Sequence, residues 1–447
     1  MKKRILLIGY NFNPEPTGIG KYNGEMISWF GEKGYDCTVI TTYPYYPYWK
    51  VQEPYFKDRF WYKTERQELS SGGRIKIHRC PIYVPQTPSG ITRMLLDVSF
   101  LISATLKMVQ LIPGKKYDYV ITVVPSFQFG LLGIFYRLFR RSKFLYHIQD
   151  LQIEAARDLK LIKSKTIIRG LLKIEQIILK KADYVSTISE GMAAKIRKKS
   201  DRKIYLLANW VNVKLFQPLQ EKSILKGEFG FMPEDKVVLY SGAMGEKQGL
   251  DMIIYAAKAL RENAYLKFLI CGSGPYSKKL ISLTNQLNLK NVHFLPLQPL
   301  TEFNRILNMA DVHLVIQKSQ ANGLVMPSKL TTILAVGGLA LVTANEGSEL
   351  HRLIHAHEIG LVIDADNQEA LNDGIKKAIG GDWKTITSKA RQYAENHLSI
   401  DNILLSYEKH VLNEDPISFG KPPHSNTKFS GDYTPMGEGE QAKPFDN

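Results

Sequence analysis

Two doubly wound α/β domains facing each other across a cleft are the fold class predicted by this sequence of 447 residues. Three observations predict it. Strand-like runs alternate with helical ones along most of the chain. Several strands are continuously apolar, as central strands of parallel sheets are when both faces are covered. Two stretches about 220 residues apart also share one plan: a strand, a glycine-bearing turn and a helix start. Such a turn lets bare backbone approach a phosphate, with the free N–H groups of the helix pointing at it.

The elements follow in order. Arg4-Ile5-Leu6-Leu7-Ile8-Gly9 reads as a strand, and the loop Pro14 to Lys21 after it carries Thr17-Gly18-Ile19-Gly20. A helical pattern then runs from Tyr22 to Lys33. Further strands are expected at 36–42, 75–80, 118–124, 143–148, 183–188 and 203–207. A fresh series opens at 236–241, passes through Gly242-Ala243-Met244-Gly245-Glu246-Lys247-Gln248-Gly249 and enters a helix at Leu250. Its later strands are expected at 266–271, 291–295, 312–316, 339–343 and 360–363. Helices between parallel strands imply right-handed crossovers. The division is placed near Gln217-Pro218-Leu219, giving domains of 1–215 and 216–390. A C-terminal helix, 391–413, is able to pack back on the first domain. Residues 414–447 lack apolar periodicity and read as a disordered tail.

Composition narrows the class. Hydrophobic residues make up 44% and charged residues 23%, as in a folded protein with ample core. Three scattered cysteines, Cys37, Cys80 and Cys271, suit a reducing compartment and exclude a disulfide framework or zinc site. Met1-Lys2-Lys3-Arg4 precedes too short an apolar run for a signal peptide, so it is read as leading into the first strand. The net charge of +16 is uneven: residues 1–205 hold 35 basic and 17 acidic side chains, the remainder 24 and 26. Only the first half is therefore expected to meet an anionic surface.

The stretch Ile91 to Ile112 is mostly apolar, but Arg93, Asp97 and Lys107 interrupt it and argue against a bilayer span. A membrane-surface helix, an acceptor-facing helix and a buried helix of the first domain remain open. Arg137 to Lys143, Lys160 to Lys181 and Lys195 to Lys199 mix cations with apolar residues, a mixture suited to anionic lipid headgroups.

Candidate chemistry gathers at strand ends. Phe144 to Ile148 runs into Gln149-Asp150, so His147 and Asp150 are placed to point into a cleft beyond the carboxyl end of a strand. Gly245 to Gly249 presents Lys247 beside a helix start, and Gly272-Ser273-Gly274-Pro275 can lie flat against a base or ribose. Gln320 to Lys329 includes Asn322-Gly323-Leu324 and Pro327-Ser328-Lys329. There a helix start, a hydroxyl and an ammonium could meet one phosphate, with a purely structural cap as the alternative.

As a set, these motifs, together with Thr187-Ile188-Ser189-Glu190 and Asn209-Trp210-Val211-Asn212, resemble a retaining nucleotide-sugar glycosyltransferase of family 4. The resemblance runs from residue 4 to about 410 and implies the GT-B fold, two Rossmann-like domains. Gly-Glu-Lys-Gln-Gly and Pro-Ser-Lys are most similar to its colanic-acid and O-antigen branch, associated with fucose or N-acetylfucosamine-like donors. It implies that Gly18 and Gly20 approach the diphosphate and acceptor, and that His147 contacts the transferred sugar. Lys247 would neutralise the leaving diphosphate, assisted by Ser328 and Lys329. Gly272, Ser273, Gly274 and Leu297 would line the base pocket, while Asn322, Gly323 and Leu324 offer backbone groups. Family members often carry two glutamates eight positions apart before this helix and an arginine in the Gly242 loop. Here both are missing, and Glu349 is the substitute named for the ribose.

The expected chemistry needs no cofactor beyond a UDP- or GDP-linked donor, and no metal, because Lys247, Lys329 and helix N-termini can stabilise the departing diphosphate. Hydrolysis by two acids is not favoured, because no carboxylates pair at a glycosidase-like spacing. The expected acceptor is a lipid-linked saccharide at the inner membrane face, with the protein cytoplasmic and peripherally attached. An epimerase or inverting transferase on the same fold, or a basic nucleic-acid-binding protein, are the rivals. Few aromatics interleave the basic runs, so no nucleic-acid partner is expected.

Overall fold

The computed structural model describes residues 3–16, 18–158, 164–319 and 327–412, the side chains of Ala155 and Lys247 excepted. The expected tail, 414–447, lies outside them.

The first sheet has eight strands: β1 (Arg4–Ile8), β2 (Asp36–Thr42), β3 (Lys63–Glu68), β4 (Arg74–Cys80), β5 (Tyr119–Val124), β6 (Lys143–Ile148), β7 (Tyr184–Thr187) and β8 (Ile204–Leu206). Their order is β3-β4-β2-β1-β5-β6-β7-β8. Its helices are α1 (Gly18–Glu32), α2 (Gly90–Leu111), α3 (Gly130–Arg140), α4 (Gln152–Asp158), α5 (Lys165–Lys181) and α6 (Glu190–Arg197). α1 packs one face with Met26, Ile27 and Phe30, and α2 and α3 pack the other with Phe100, Met108 and Leu132. Each such side chain contributes about 1.5–3 kcal/mol by leaving water.

Two details depart from the sequence reading. β3, Lys-Thr-Glu-Arg-Gln-Glu, was not expected, because it contains no apolar residue. As an antiparallel edge strand it needs none, and its register on β4 sets Glu65 beside Arg79 at 3.1 Å. The first helix begins at Gly18, four residues before Tyr22, so Gly20 stands within its first turn. A β-carbon on Gly20 would collide with the buried Glu15 carboxylate, so packing overrides glycine's poor helix propensity.

The second sheet is all parallel: β9 (Lys236–Ala243), β10 (Leu266–Ser273), β11 (Val292–Leu295), β12 (Val312–Val315), β13 (Ala340–Thr343) and β14 (Leu361–Ile363), ordered β11-β10-β9-β12-β13-β14. Around it lie α7 (Lys222–Glu228), α8 (Asp251–Ala259), α9 (Ser277–Gln286), α10 (Leu300–Met309), α11 (Ser328–Ala335), α12 (Glu349–His357), α13 (Gln368–Gly380) and α14 (Lys384–Tyr393). β9 shows why its run is continuously apolar: Val237 and Leu239 face α11 residues, while Val238 and Tyr240 face α8 and α13 residues.

The last helix, α15 (Ile400–Tyr407), and the turn after it return to the first sheet. Leu404, Tyr407 and Val411 join the core of Ile5, Leu7 and Phe30. Asp401 accepts from the Trp29 indole at 2.9 Å, and Glu408 from the Tyr35 hydroxyl at 2.8 Å.

α2 is long and apolar enough by composition to cross a membrane, with a mean hydropathy of 1.5 over its most apolar stretch. Its inner face, however, is packed on the first sheet through Leu96, Asp97, Phe100, Ala104 and Met108. The outer face leaves Ile91, Met94, Leu95, Val98, Ile102, Leu106 and Val109 exposed, one stripe at helical spacing.

Candidate active site

Open α/β sheets bind ligands beyond the carboxyl ends of their strands, where the strand order reverses. That point lies between β1 and β5 in the first sheet and between β9 and β12 in the second.

In the second domain β9 and β10 stay in register to their ends, pairing Gly242 with Gly272 and Ala243 with Ser273. Gly272 has φ +145°, and a β-carbon there would run into the Gly242 carbonyl. Only glycine allows the two turns to lie so close. Ser273 is half-buried, and Gly274 packs against the Met244 carbonyl. Leu297, half-buried, follows β11 at the level at which Ser273 follows Cys271. Gly245 opens the tight turn Glu246–Gln248. Lys247 belongs to that turn, but its side chain lies outside the described residues, as do Asn322, Gly323 and Leu324.

Lys329 crosses this floor. Its Nζ stands 3.7 Å from the centre of the Tyr240 ring, and a β-carbon on Gly242 would lie 3.2 Å from its Cε and Nζ. Among the described residues it makes no ion pair. Burial pushes its ammonium down to about pKa 7. Ser328 is the exposed first residue of α11, preceded by Pro327, which provides no side-chain cap, so Ser328 is not the cap itself. Among the described residues no side chain caps this helix start, whose first N–H groups can therefore face an anion.

Lys318 was missed. Exposed, just beyond β12, it stands 3.3 Å from where a β-carbon on Gly249 would be. The available signal was its place three residues past a buried strand at the point of reversal.

In the first domain Gly18 and Gly20 occupy the first turn of α1. Glu15 beneath them is 3% exposed and accepts from Asn11 Nδ2 at 2.8 Å and from the N–H groups of Tyr45 and Tyr46 at 3.2 and 3.0 Å. Burial lifts its carboxyl to about pKa 7, against the pull of those bonds. The loop it anchors carries Trp49, over which Arg93 of α2 lies at 5.1 Å. Asp150 is exposed past the end of β6.

His147 is a correction. Expected on the transferred sugar, it is 2% exposed within β6, its Nδ1 3.0 Å from Ser186 Oγ of β7. Ser186 in turn lies 3.4 Å from the Tyr407 hydroxyl of α15. Burial lowers its pKa to about 4, so it is a neutral core histidine. Glu349, named for the ribose, has its Oε2 accepting from the N–H of Gly191 in α6, 3.2 Å away across the domains.

The two sides meet. Tyr22 of α1 lies beside the Thr331 side chain of α11 and packs edge-on to Trp210 at 5.2 Å. The first turns of α1 and α11, bearing Gly18 and Gly20 on one side and Ser328 and Lys329 on the other, thus come together. Among the described residues no three His, Cys, Asp or Glu side chains gather as a metal site requires.

Residues 17–210 match the glycosyl transferase 4-like domain, and residues 221–397 match glycosyl transferases group 1. Over 415 residues the chain is 36% identical to WcaI of Escherichia coli (strain K12), a candidate colanic acid biosynthesis glycosyl transferase; the match covers 90% of this chain and 98% of that protein. Among solved structures, sucrose-phosphate synthase from Thermosynechococcus elongatus superposes with a TM-score of 0.70 at 17% identity, covering 92% of this chain and 99% of that one. Anabaena HepE, in complex with UDP and glucose, gives 0.66 at 14% identity, covering 92% and 100%.

Proposed function

The chain belongs to glycosyltransferase family 4, in the WcaI-type branch with the GT-B fold, and on that premise we propose the reaction it performs. A sugar, fucose or N-acetylfucosamine-like, passes from a nucleotide-diphosphate donor to a lipid-linked or oligosaccharide acceptor in surface-polysaccharide biosynthesis. Its anomeric configuration is retained. WcaI, at 36% identity, is named for colanic acid biosynthesis, and HepE was crystallised with UDP and glucose. Both names favour this reading.

One observation carries the donor half: Lys329, a cation without a carboxylate partner among the described residues, lying across the glycine turns of β9 and β10. As the bond from the sugar's anomeric carbon to the diphosphate oxygen breaks, negative charge grows on that oxygen. Lys329, Ser328, the start of α11 and Lys247 are the groups assigned to stabilise it, work they can do without a bound metal ion. The acceptor hydroxyl bonds to the same carbon on the same face and gives its proton to the departing phosphate. Asp150 is assigned to the sugar side of the cleft. Closure of the domains excludes water, the competing acceptor.

The acceptor half of the reading rests on the first domain's surface. Beside the apolar stripe of α2 stand Phe60 and Trp61, the latter 74% exposed, and the Tyr62 hydroxyl donates to the Ser103 carbonyl of α2 at 3.0 Å. Leu138 and Phe139 of α3 are exposed nearby, where Arg140 bonds the Gly114 carbonyl at 2.7 Å. Aromatic and aliphatic side chains among Arg59, Lys107, Arg137 and Arg141 suit an anionic inner-membrane surface.

The deciding experiment is a thermal-shift screen against UDP, GDP and their sugar conjugates, followed by transfer assays and product anomer analysis. Selective stabilisation by one nucleoside diphosphate with a retained anomer is expected. An inverted product would remove retention, and indifference to every nucleotide would remove the donor site.

A further inference from the structure

The transfer reading leaves one polar cluster without a task. α2 is apolar along most of its packed face, yet that face carries Asp97, only 5% exposed. Keeping a carboxylate out of water is costly unless something compensates it. Gln152 Nε2 donates to its Oδ2 at 3.3 Å, and Arg93, one turn earlier, is its nearby cation. Burial raises its carboxyl to about pKa 6.

The surroundings are what point to a ligand. Ser126 lies two residues past β5, fully buried, with its hydroxyl toward the Asp97 carboxylate but in no hydrogen bond of normal geometry. Gln152 Oε1 is buried and likewise finds no hydrogen-bond partner among the described residues. Tyr10, two residues past β1, has its hydroxyl within electrostatic reach of Asp97 and Asp150. β1 and β5 flank the reversal of strand order in this sheet. The orphaned atoms therefore stand where such a sheet binds ligands.

We propose that Asp97, with Ser126 and Gln152, reads the acceptor saccharide, accepting a hydrogen bond from one of its hydroxyls and orienting it toward the anomeric carbon. The inference rests on the transfer reading above and names the residues of its acceptor side. A carboxylate and an amide oxygen favour hydroxyl donors and repel phosphate. The cluster therefore takes the sugar of a lipid-linked acceptor, and the diphosphate stays with the cations outside. α2 then serves two surfaces, its outer stripe lying on lipid and Asp97, on the face otherwise packed on the sheet, meeting the sugar.

The test compares Asp97→Asn, Asp97→Ala and Ser126→Ala with the wild type on short-chain polyprenyl-diphosphate saccharides of one to three sugars. Losing a hydrogen bond to a charged group should raise the acceptor KM about 10- to 100-fold for both Asp97 variants, and losing a neutral one about 2- to 10-fold for Ser126→Ala. Nucleotide affinity should stay within about twofold, and Asp97→Asn should unfold no earlier than wild type because it removes a buried charge. An unchanged acceptor KM would overturn the proposal. So would nucleotide affinity falling by the same factor, which is the mark of a structural role. Should the wild type itself transfer to none of these acceptors, the transfer reading falls and this inference with it, a failure visible without any variant.

Discussion

Lys329 rests its ammonium on the face of Tyr240, 3.7 Å from the ring centre. A cation–π contact recovers part of what the charge loses on leaving water, about 0.5–2 kcal/mol. The remaining cost appears as the lowered proton affinity of the lysine, near pKa 7. The site thus lacks a counter-charge, which the diphosphate of the proposed donor would supply.

Stability should follow from that lack. The folded pKa of Lys329 lies below that of an unfolded lysine, about 10.4. Below pH 7 both states are protonated and the penalty is felt in full. Between about pH 7 and 10 the unfolded chain binds the extra proton, so this group makes stability rise with pH. Lys329→Met should raise the ligand-free Tm at pH 6 by about 1–3 °C and lose that slope. Calorimetry across pH 6–9 checks both, and a lower Tm for the variant would contradict the assignment.

Ligand affinity should run the other way. A diphosphate favours the protonated lysine and raises its pKa, so binding takes up a proton above pH 7. The affinity for the nucleoside diphosphate should fall above pH 7, by up to about tenfold per unit. Titration calorimetry in buffers of different ionisation enthalpy measures the proton directly. A Lys329→Ala protein should bind more weakly and with a flat profile through this range.

The two lysines should differ in kind. Lys329→Ala should lower kcat by about 100-fold or more, as removal of a charge-stabilising group does. Lys318 is exposed beside Gly249, and Lys318→Ala should weaken nucleotide binding only about 2- to 5-fold, mostly at low salt. Equal effects in both variants would refute the distinction.

The turn itself can be probed at Gly272. Ala there must adopt φ near +145° and displace the Gly242 carbonyl, so Gly272→Ala should cost about 2 kcal/mol or more and abolish nucleotide-dependent stabilisation. Gly34 also has positive φ, +93°, but open space where a β-carbon would stand. Gly34→Ala should cost about 1 kcal/mol and spare binding. Urea unfolding with and without nucleotide separates the two.

The proposed membrane face predicts a loss without unfolding. Ile102→Glu with Leu106→Glu places two carboxylates on the exposed stripe of α2. Co-sedimentation with anionic vesicles at low salt should drop about tenfold or more, with Tm unchanged within 1–2 °C or so. Full binding by this variant would move the lipid contact elsewhere.

Strands with both faces covered announce themselves as apolar runs, so β1, β5 and β9 were legible. β3 was not, because an edge strand stabilised by one neighbour can be written wholly in polar residues. The same covering hides phase: His147 looked like a cleft residue because period-two alternation vanishes in a strand buried on both sides. Its partners, Ser186 and Tyr407, come from later in the chain and carry no local mark. Asp150, beyond the strand end, could be placed from order alone. Glu349 was singled out by type, while its bond to Gly191 depends on how the domains meet. The Pro327-Ser328-Lys329 motif was plain; that Lys329 would lie on Tyr240 was not, since residue 240 looked like ordinary core.

α2 fixes a distance. A helix with its side chains is about 10–12 Å thick, so a body lying on lipid by one face of α2 carries the cluster at its other face at a set height. If the protein lies on lipid and takes its acceptor at Asp97 as proposed, such a geometry would measure its substrate. An acceptor whose first hydroxyl sat too near the headgroups would fall short of Asp97, and one bearing a long glycan would overshoot it. Selection by length would then act alongside selection by stereochemistry, and the growing chain would leave the enzyme's reach once its sugar had been added.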